Sequence, residues 1–411
     1  MNIPHGPEEG DLTITETDEA PRLAITDPSF SITSDVVHRA REQNWYAHTE
    51  FGLAVLRYDE AAKLMKHPKL RQGSVAWPAH NGVTTGPFAE WFHSWVLNKE
   101  GEEHHRLRRL MNPAFSPKLI GSLVPRFQAL AGELIDNFAD RGECEFTTEF
   151  AEPYAARVIA IMLGLPEDEW EIVARESATL GLAMGITLQQ DLPQIEQALE
   201  RLYAYADNLI ADRIDHPRDD FMSVLVQAQR EGDRLSAKEL RDAIVLLIFG
   251  GYDTTRNQLG LAMQTFLHHP DQWALLAEQP ELGGKAVEEV MRVNPTVRWV
   301  TREAVETFEY QGLTIEAGTT LHLFTESAGT DPRVFGESAF DITAERKPHY
   351  GFGGGVHHCL GHFVARSDMS EALPLLARRL RDPKLLPGEK WLADSGNTGP
   401  IVLPISFTAA P

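Results

Sequence analysis

The residues with the most chemical potential lie together near the C-terminal end, in Tyr350-Gly-Phe-Gly-Gly-Gly-Val-His-His-Cys-Leu-Gly361. Four glycines within five residues open backbone conformations closed to other residues and let the chain approach another group closely. The loop delivers Cys359 to the start of a helical segment, LGHFVARSDMSEALPLLARRL, where free N–H groups and the helix dipole favour a thiolate. A rigidly held anionic sulfur suits a soft or borderline metal. Three other readings stand beside it. A phosphate cradle fits neither G-x-G-x-x-G nor the P-loop spacing. A zinc site drawn from His357, His358, Cys359 and His362 lacks the usual spaced pairs, since the other cysteine, Cys144, lies far upstream. The third is a plain glycine turn around an inert buried cysteine.

A second constellation interrupts a helix. Ser236-Ala-Lys-Glu239 supplies a capping box, and the helix it opens should run to His268 or His269, stopped by Pro270. Residues 243–249 (AIVLLIF) are apolar all round, so this stretch must be buried on every side. Then Gly250, Gly251, Asp253, Thr254 and Thr255 fall mid-helix. Each glycine there costs about 1 kcal/mol relative to alanine. Asp and Thr compete for backbone hydrogen bonds and can bulge the helix. A buried helix weakened at its centre points to a site; a close helix crossing that needs small residues is the bland alternative.

The segment Phe352-Gly-Gly-Gly-Val-His357-His-Cys359-Leu-Gly361 resembles the haem-binding signature of the cytochrome P450 superfamily, F-G-x-G-x-H-x-C-x-G, at every fixed position. Gly250-Gly-Tyr-Asp253-Thr254-Thr255 is similar to the family's distal-helix motif, [AG]-G-x-[DE]-T-[TS], and Glu289-Val-Met-Arg292 to its E-x-x-R. The resemblance covers about residues 30–408, with the motifs in the family's order. It implies haem b (iron protoporphyrin IX) with Cys359 as the axial ligand of the iron, Phe352 near the sulfur, and Gly250 and Gly361 close to the cofactor. It implies propionate contacts from His104 and Arg108 (in Glu103-His104-His-Arg-Leu-Arg108-Arg109), from Arg302 and from His357. The lead-in Glu100-Gly-Glu-Glu-His104 departs from the family's acid-x-Pro-Glu-His, and the doubled His104-His105 and Arg108-Arg109 leave the inward-facing members open. Thr254 and Asp253 would relay protons to dioxygen, beside a local widening of the helix. Glu289 and Arg292 would be a structural pair, joined by an arginine near Arg346. Leu246, Phe249, Val297, Arg298 and Ile401 would line the substrate pocket, their alternative being plain core.

These motifs need elements to hold them. Residues 44–58 alternate around Phe51-Gly52 as a hairpin; the pattern is helical from Asp59 to about Val293, and short strand-like runs follow Pro295. The reading is mainly α with small β-sheets, and by resemblance the cytochrome P450 fold, haem lying between a long distal helix and a proximal cysteine-loop helix. Residues 1–25 read as an acidic N-terminal tail and 26–411 as a single domain. Residues 74–100 and 184–194 should form the pocket's lid.

Composition bounds the rest. The 411 residues carry 60 acidic and 38 Lys or Arg side chains, a net charge of −22, which argues against nucleic acid. Nothing approaches the roughly 20 apolar residues of a membrane span, and two distant cysteines fit a reducing compartment, so a cytoplasmic monomer is expected. The resemblance implies a monooxygenase acting on a small apolar substrate with O2. No flavin motif is evident, so electrons should come from a ferredoxin and its reductase, docked on basic residues of 104–118 and on Arg366, Arg378, Arg379 and Arg381. A haem-thiolate binder or sensor without turnover is the alternative.

Overall fold

The computed structural model describes residues 20–410 except 28–29, 186, 219, 231–234, 337–339 and 393–395. Most of the acidic tail, residues 1–19, thus lies outside the described residues. Residues 20–25 do not behave as a solvated tail: Leu23 is buried and Arg22 forms a β-bridge with His48. An apolar side chain at the tail's end secures it to the body.

The main sheet is assembled from distant parts of the chain. β1 (Tyr46–Thr49) and β2 (Gly52–Val55) form the expected hairpin. β2 runs parallel to β8 (Thr320–Phe324), which pairs antiparallel with β5 (Trp299–Ala304), and β5 with β3 (Leu70–Gln72). Smaller sheets join β6 (Phe308–Tyr310) to β7 (Leu313–Ile315), and β10 (Lys390–Trp391) to β11 (Pro400–Val402). A third carries β12 (Pro404–Ala409) between β4 (Glu143–Glu145) and β9 (Leu380–Leu385).

The remaining core is helical. Ten helices matter to the site: α1 (Pro87–Ser94), α2 (Gly101–Met111), α3 (Pro117–Asp136), α4 (Glu152–Leu163), α5 (Trp170–Gly181), α6 (Leu188–Asp215), α7 (Ala237–His268), α8 (Pro270–Glu278), α9 (Gly283–Val293) and α10 (His362–Arg379). Helix α7 opens with the expected box: Ser236 Oγ accepts from the Glu239 N–H at 3.1 Å, and Glu239 Oε2 accepts from the Ser236 N–H at 2.7 Å. It runs through the core against α4, α5 and α6, with Ile244, Val245, Ile248 and Phe249 buried.

Its two central glycines answer to different causes. A Cβ on Gly251 would lie 2.1 Å from Ile159 Cδ1 of α4, so this glycine permits a close helix crossing. A Cβ on Gly250 would meet nothing within 4 Å. The anticipated widening is not there. The helix stays α-helical from Ala237 to His268, because the Thr254 hydroxyl donates to the Gly250 carbonyl at 2.6 Å and satisfies itself within the turn.

Behind the cysteine loop sits a buried ion pair. The Glu289 and Arg292 side chains are 3% and 2% exposed, and Arg292 Nε and Nη2 reach the two Glu289 oxygens at 2.7 and 2.6 Å. Arg346 Nη2 adds a contact at 3.3 Å and the Asp341 N–H one at 3.1 Å. Arg346 is therefore the third member of the cluster. Its burial removes this pair from the class of solvated surface pairs, whose worth is small.

The glycines give a test with opposite signs. Gly250→Ala should stabilise the protein by up to about 1 kcal/mol through helix propensity alone. Gly251→Ala should cost about 1–3 kcal/mol by overpacking against Ile159. Denaturant unfolding of the two variants distinguishes them.

Candidate active site

The loop before α10 is folded by its glycines and its neighbours together. Gly353 and Gly355 adopt φ of 65° and 70°, where L side chains are strained. The Gly353 N–H donates to the Tyr350 carbonyl at 2.8 Å, and the Cys359 N–H to the Phe352 carbonyl at 2.9 Å. A Cβ on Gly354 would stand 2.5 Å from Met65 Sδ, so only glycine lets the loop lie against that side chain.

Three groups favour negative charge on Cys359: the Gly361 N–H and the guanidinium groups of Arg108 and Arg366. Burial outweighs them and pushes the thiol above its ordinary range. Helix α10 begins only at His362, so its end does less for the sulfur than the sequence suggests. A bound cation would have to supply the difference. Arg366 lies 4.4 Å over the Phe352 ring and bonds Glu288 through Nε at 2.5 Å and Nη2 at 3.2 Å. The Phe352 ring is further flanked by His349, His358 and His362.

Beside the loop, cations and donors converge. His104 is buried to 2% exposure whereas His105 is exposed, and Arg108 is half-buried whereas Arg109 is exposed, which settles the inward member of each doublet. The His104 and His357 rings lie 4.3 Å apart, and each has a buried Nδ1 with no partner among the described residues. Arg302, 3% exposed, donates to Gln72 Oε1 at 2.7 Å, to the Thr301 carbonyl at 2.9 Å and to the Gly354 carbonyl at 3.4 Å. These acceptors are neutral. Burial lowers its pKa to about 10 against the field of Glu100. Glu100 Oε1 lies 3.1 Å from His357 Nε2 and accepts from the Gln72 N–H at 2.6 Å. Burial opposes ionisation of Glu100, but these bonds outweigh it and hold the carboxyl below the usual range.

This donor set fits haem. A buried arginine among neutral acceptors, two histidines with unmet ring nitrogens and one carboxylate already in place make a site for further carboxylates. A sulfur ligand faces two arginines, and both motif glycines, Gly250 on α7 and Gly361 before α10, have no atom within 4 Å of where a Cβ would be.

On the α7 side, Asp253 and Thr254 have separate partners. Asp253 is buried and its Oδ2 accepts from Asn397 Nδ2 at 2.5 Å. Burial raises its carboxyl pKa against Arg256 and the Asn397 bond. Thr254 is turned to its own helix. Asn397 and Gln72 escaped the sequence reading, since a lone amide in a loop or a short strand carries no spacing signal.

Two of the pocket candidates, Leu246 and Phe249, share Trp95 as a neighbour. Leu246 lines a small cleft with Trp95, Leu107 and Met111. Phe249 is buried, its ring packed on Trp91 and Trp95 at 6.1 and 5.9 Å. Arg298 is buried and donates through Nη1 to Asn294 Oδ1 at 2.9 Å, since a buried guanidinium must find acceptors. Val297 bridges Asn397, and Ile401, on β11, is 40% exposed. Between the two lid segments Gly82 lies against Gln189; just outside the second segment, Trp77 Nε1 donates to the Ala183 carbonyl at 2.8 Å and the Phe88 N–H to Glu196 Oε1 at 3.4 Å. Ile186 of the second segment lies outside the described residues.

Two buried histidines make stability pH-dependent. Burial brings both to about 4: His104, with His357 and Arg108 adding to the effect, and His322, with His80 adding. The unfolded chain, with His near 6.5, binds more protons between those values, so stability rises with pH across roughly 4 to 6.5. Thermal midpoints should fall as pH drops through that window, and His322→Asn should flatten the slope; an unchanged slope would contradict a neutral His322.

Comparison with known proteins completes the picture. A family model described as Cytochrome P450 matches residues 183–382. Luteothin monooxygenase of Streptomyces thioluteus is 38% identical over 396 residues, covering 95% of this chain and 97% of that protein. Mycinamicin IV hydroxylase/epoxidase of Micromonospora griseorubida is 34% identical, covering 75% and 79%. Among solved structures, CalO2 superposes with a TM-score of 0.84 at 26% identity, covering 93% of this chain and 99% of that one. With the thiol loop, the buried E-x-x-R pair and this likeness along nearly its whole length, the chain belongs to the cytochrome P450 family, as a monooxygenase of the bacterial type.

Proposed function

We propose that this chain binds haem b through Cys359 and inserts one oxygen atom from O2 into a small apolar substrate, with electrons from an external ferredoxin and its reductase. The observation that carries the reading is that one loop brings a half-buried thiol and a cationic cluster to adjacent positions. Cys359, His357 and the Gly354 carbonyl, which Arg302 contacts, all belong to it. On this reading 26–411 is one domain, preceded by the acidic segment.

Arg302, His104, His357 and Arg108 would bind the two propionates, displacing or sharing the place of Glu100. Phe352 and Gly361 would flank the sulfur side and Gly250 the opposite side. When bound, haem supplies dioxygen activation and oxygen transfer. The chain's own work is positional and protonic. The Thr254 hydroxyl must leave the Gly250 carbonyl to donate toward dioxygen, and the Asp253 carboxyl would replace that proton from inside the core. The approach of Gly82 to Gln189 across the lid segments, with Trp77 on Ala183 beside it, would exclude water while this occurs. Leu246, Phe249, Val297, Arg298 and Ile401 would line the substrate pocket, Leu246 and Val297 being half-buried. Exposed Arg109, Lys118 and Arg378 lie on elements bordering the cysteine loop and suit an acidic electron donor, despite the net charge of −22.

Two variants test the assignment. Cys359→Ala should abolish the red-shifted carbon monoxide spectrum of the reduced protein; a spectrum like that of the wild type would overturn the ligand assignment. Thr254→Ala should keep that spectrum but divert reducing equivalents to peroxide, cutting product per oxygen consumed several-fold. Full coupling in this variant would remove Thr254 from proton delivery.

A further inference from the structure

Asp253 is held from the far end of the chain. Three positions on one face of α7, Asp253, Asn257 and Gly260, meet Asn397 and Gly399 of the loop before β11 and Pro400 at the start of that strand. Asn397 Nδ2 donates to Asp253 Oδ2 at 2.5 Å. A Cβ on Gly399 would lie 2.6 Å from Asn257 Cβ, and one on Gly260 would lie 2.3 Å from Pro400 Cγ. The loop therefore has little freedom to move along the helix.

Asn397 is fixed from its other side as well. Its Oδ1 lies 2.7 Å from the Thr296 hydroxyl, and the Thr398 N–H donates to the Thr296 carbonyl at 3.0 Å. The Thr296 N–H donates to Gln258 Oε1 of α7 at 2.8 Å, which closes a circuit back to the helix carrying Asp253. Thr296, Gln258 and Asp253 are all buried. The Thr296 hydroxyl is also 2.7 Å from the Thr398 carbonyl, so one proton faces two acceptors. That ambiguity has a use. With Asp253 ionised, the Asn397 amide N–H faces the carboxylate and Thr296 donates to Oδ1. With Asp253 protonated, a flipped amide can accept the acid proton while its N–H donates to Thr296, which then donates to Thr398. In either state the Asp253 carboxyl, the Asn397 amide oxygen and the Thr296 hydroxyl each keep a partner.

We infer that Asn397 is a positioning residue for the reaction, orienting the Asp253 carboxyl and accommodating it both with and without its proton. The inference rests on the reading of Asp253 as a proton carrier. The other groups acting on that carboxyl are its helix neighbours Arg256 and Tyr252. Arg256 Nε donates to Glu152 Oε1 at 3.1 Å and its Nη1 to Asn257 Oδ1 at 2.8 Å, and Tyr252 is buried. Gly181 of α5 brings no charge to Asp253 Oδ1.

The test compares Asn397→Ala, Asn397→Asp and Asp253→Asn in the haem-loaded protein. Asn397→Asp keeps side-chain shape and the acceptor for Thr296 but sets a second carboxyl against Asp253. All three should retain the ferrous carbon monoxide spectrum and lose coupling, peroxide per oxygen consumed rising several-fold, with Asn397→Asp at least as impaired as Asn397→Ala. A second readout is independent of turnover: the infrared carboxyl band that vanishes in Asp253→Asn should titrate about one pH unit higher in Asn397→Ala, because the charged form has lost a donor. If Asn397→Asp behaves as wild type while Asn397→Ala loses coupling together with thermal stability, Asn397 merely braces the loop and the inference is overturned. An unmoved band with normal coupling in both Asn397 variants overturns it too. If Asp253→Asn itself stays coupled, the proton-carrier reading fails and Asn397's part in the reaction fails with it; the infrared shift then reports separately on whether Asn397 governs the carboxyl.

Discussion

The carboxylates of two consecutive residues on α9, Glu288 and Glu289, hold the site together. Glu289 is buried, and a buried carboxylate is tolerable only when its lone pairs are met by donors. Arg292 meets it twice, Arg346 and the Asp341 N–H once each, which fixes α9 against the chain that leads into the cysteine loop. Arg292 also donates to the Gly329 carbonyl at 2.8 Å, tying in the turn after β8. Glu288 then grips the loop at both ends. It lies 3.2 Å from His349 Nε2, ten residues before Cys359, and bonds Arg366, seven residues after it. Its carboxyl falls to about 2, burial being outweighed by the bonds to His349 and Arg366. Cys359 can be rigid because its flanks are.

That rigidity lets an acidic protein concentrate positive charge where it is needed. The chain's net charge is −22, yet Arg302, Arg108, His104 and His357 share one neighbourhood in which Glu100 is the carboxylate that acts on Arg302, His104 and His357 among the described residues. Burying Arg302 among neutral carbonyl and amide oxygens costs stability that packing elsewhere must offset, and on the proposed function it would serve the binding of an anion there. The same economy operates on α7. Gly251 lets α4 approach, Gly250 leaves space, and Asp253 is carried in the core by one amide from the C-terminal loop.

Motif chemistry was legible in the sequence wherever it is local. The capping box, the end of α7 near His268, the hairpin at Phe51-Gly52 and the glycine loop depend on neighbours a few residues apart, and all appear as read. Glu289 and Arg292, one turn apart, could be paired from spacing, but their place in the core came from the resemblance alone, because the contacts that bury them are made by the distant Gly329 and Arg346. Contacts between distant segments were invisible. Nothing in the sequence announces that Asn397 reaches Asp253 or that Gln72 bridges Arg302 and Glu100. Nor does the sequence announce that the Phe249 ring packs on Trp91 and Trp95. The widening expected beside Thr254 is absent, since the threonine hydroxyl could satisfy itself at the Gly250 carbonyl without disturbing the helix.

The central claim is that the loop held by Glu288 and Glu289 presents a single sulfur to a haem iron. X-ray absorption at the iron edge of the purified wild-type protein measures this directly. The account predicts one sulfur in the iron's inner coordination shell together with the four porphyrin nitrogens. An inner shell of nitrogen and oxygen alone, with iron bound, would contradict it.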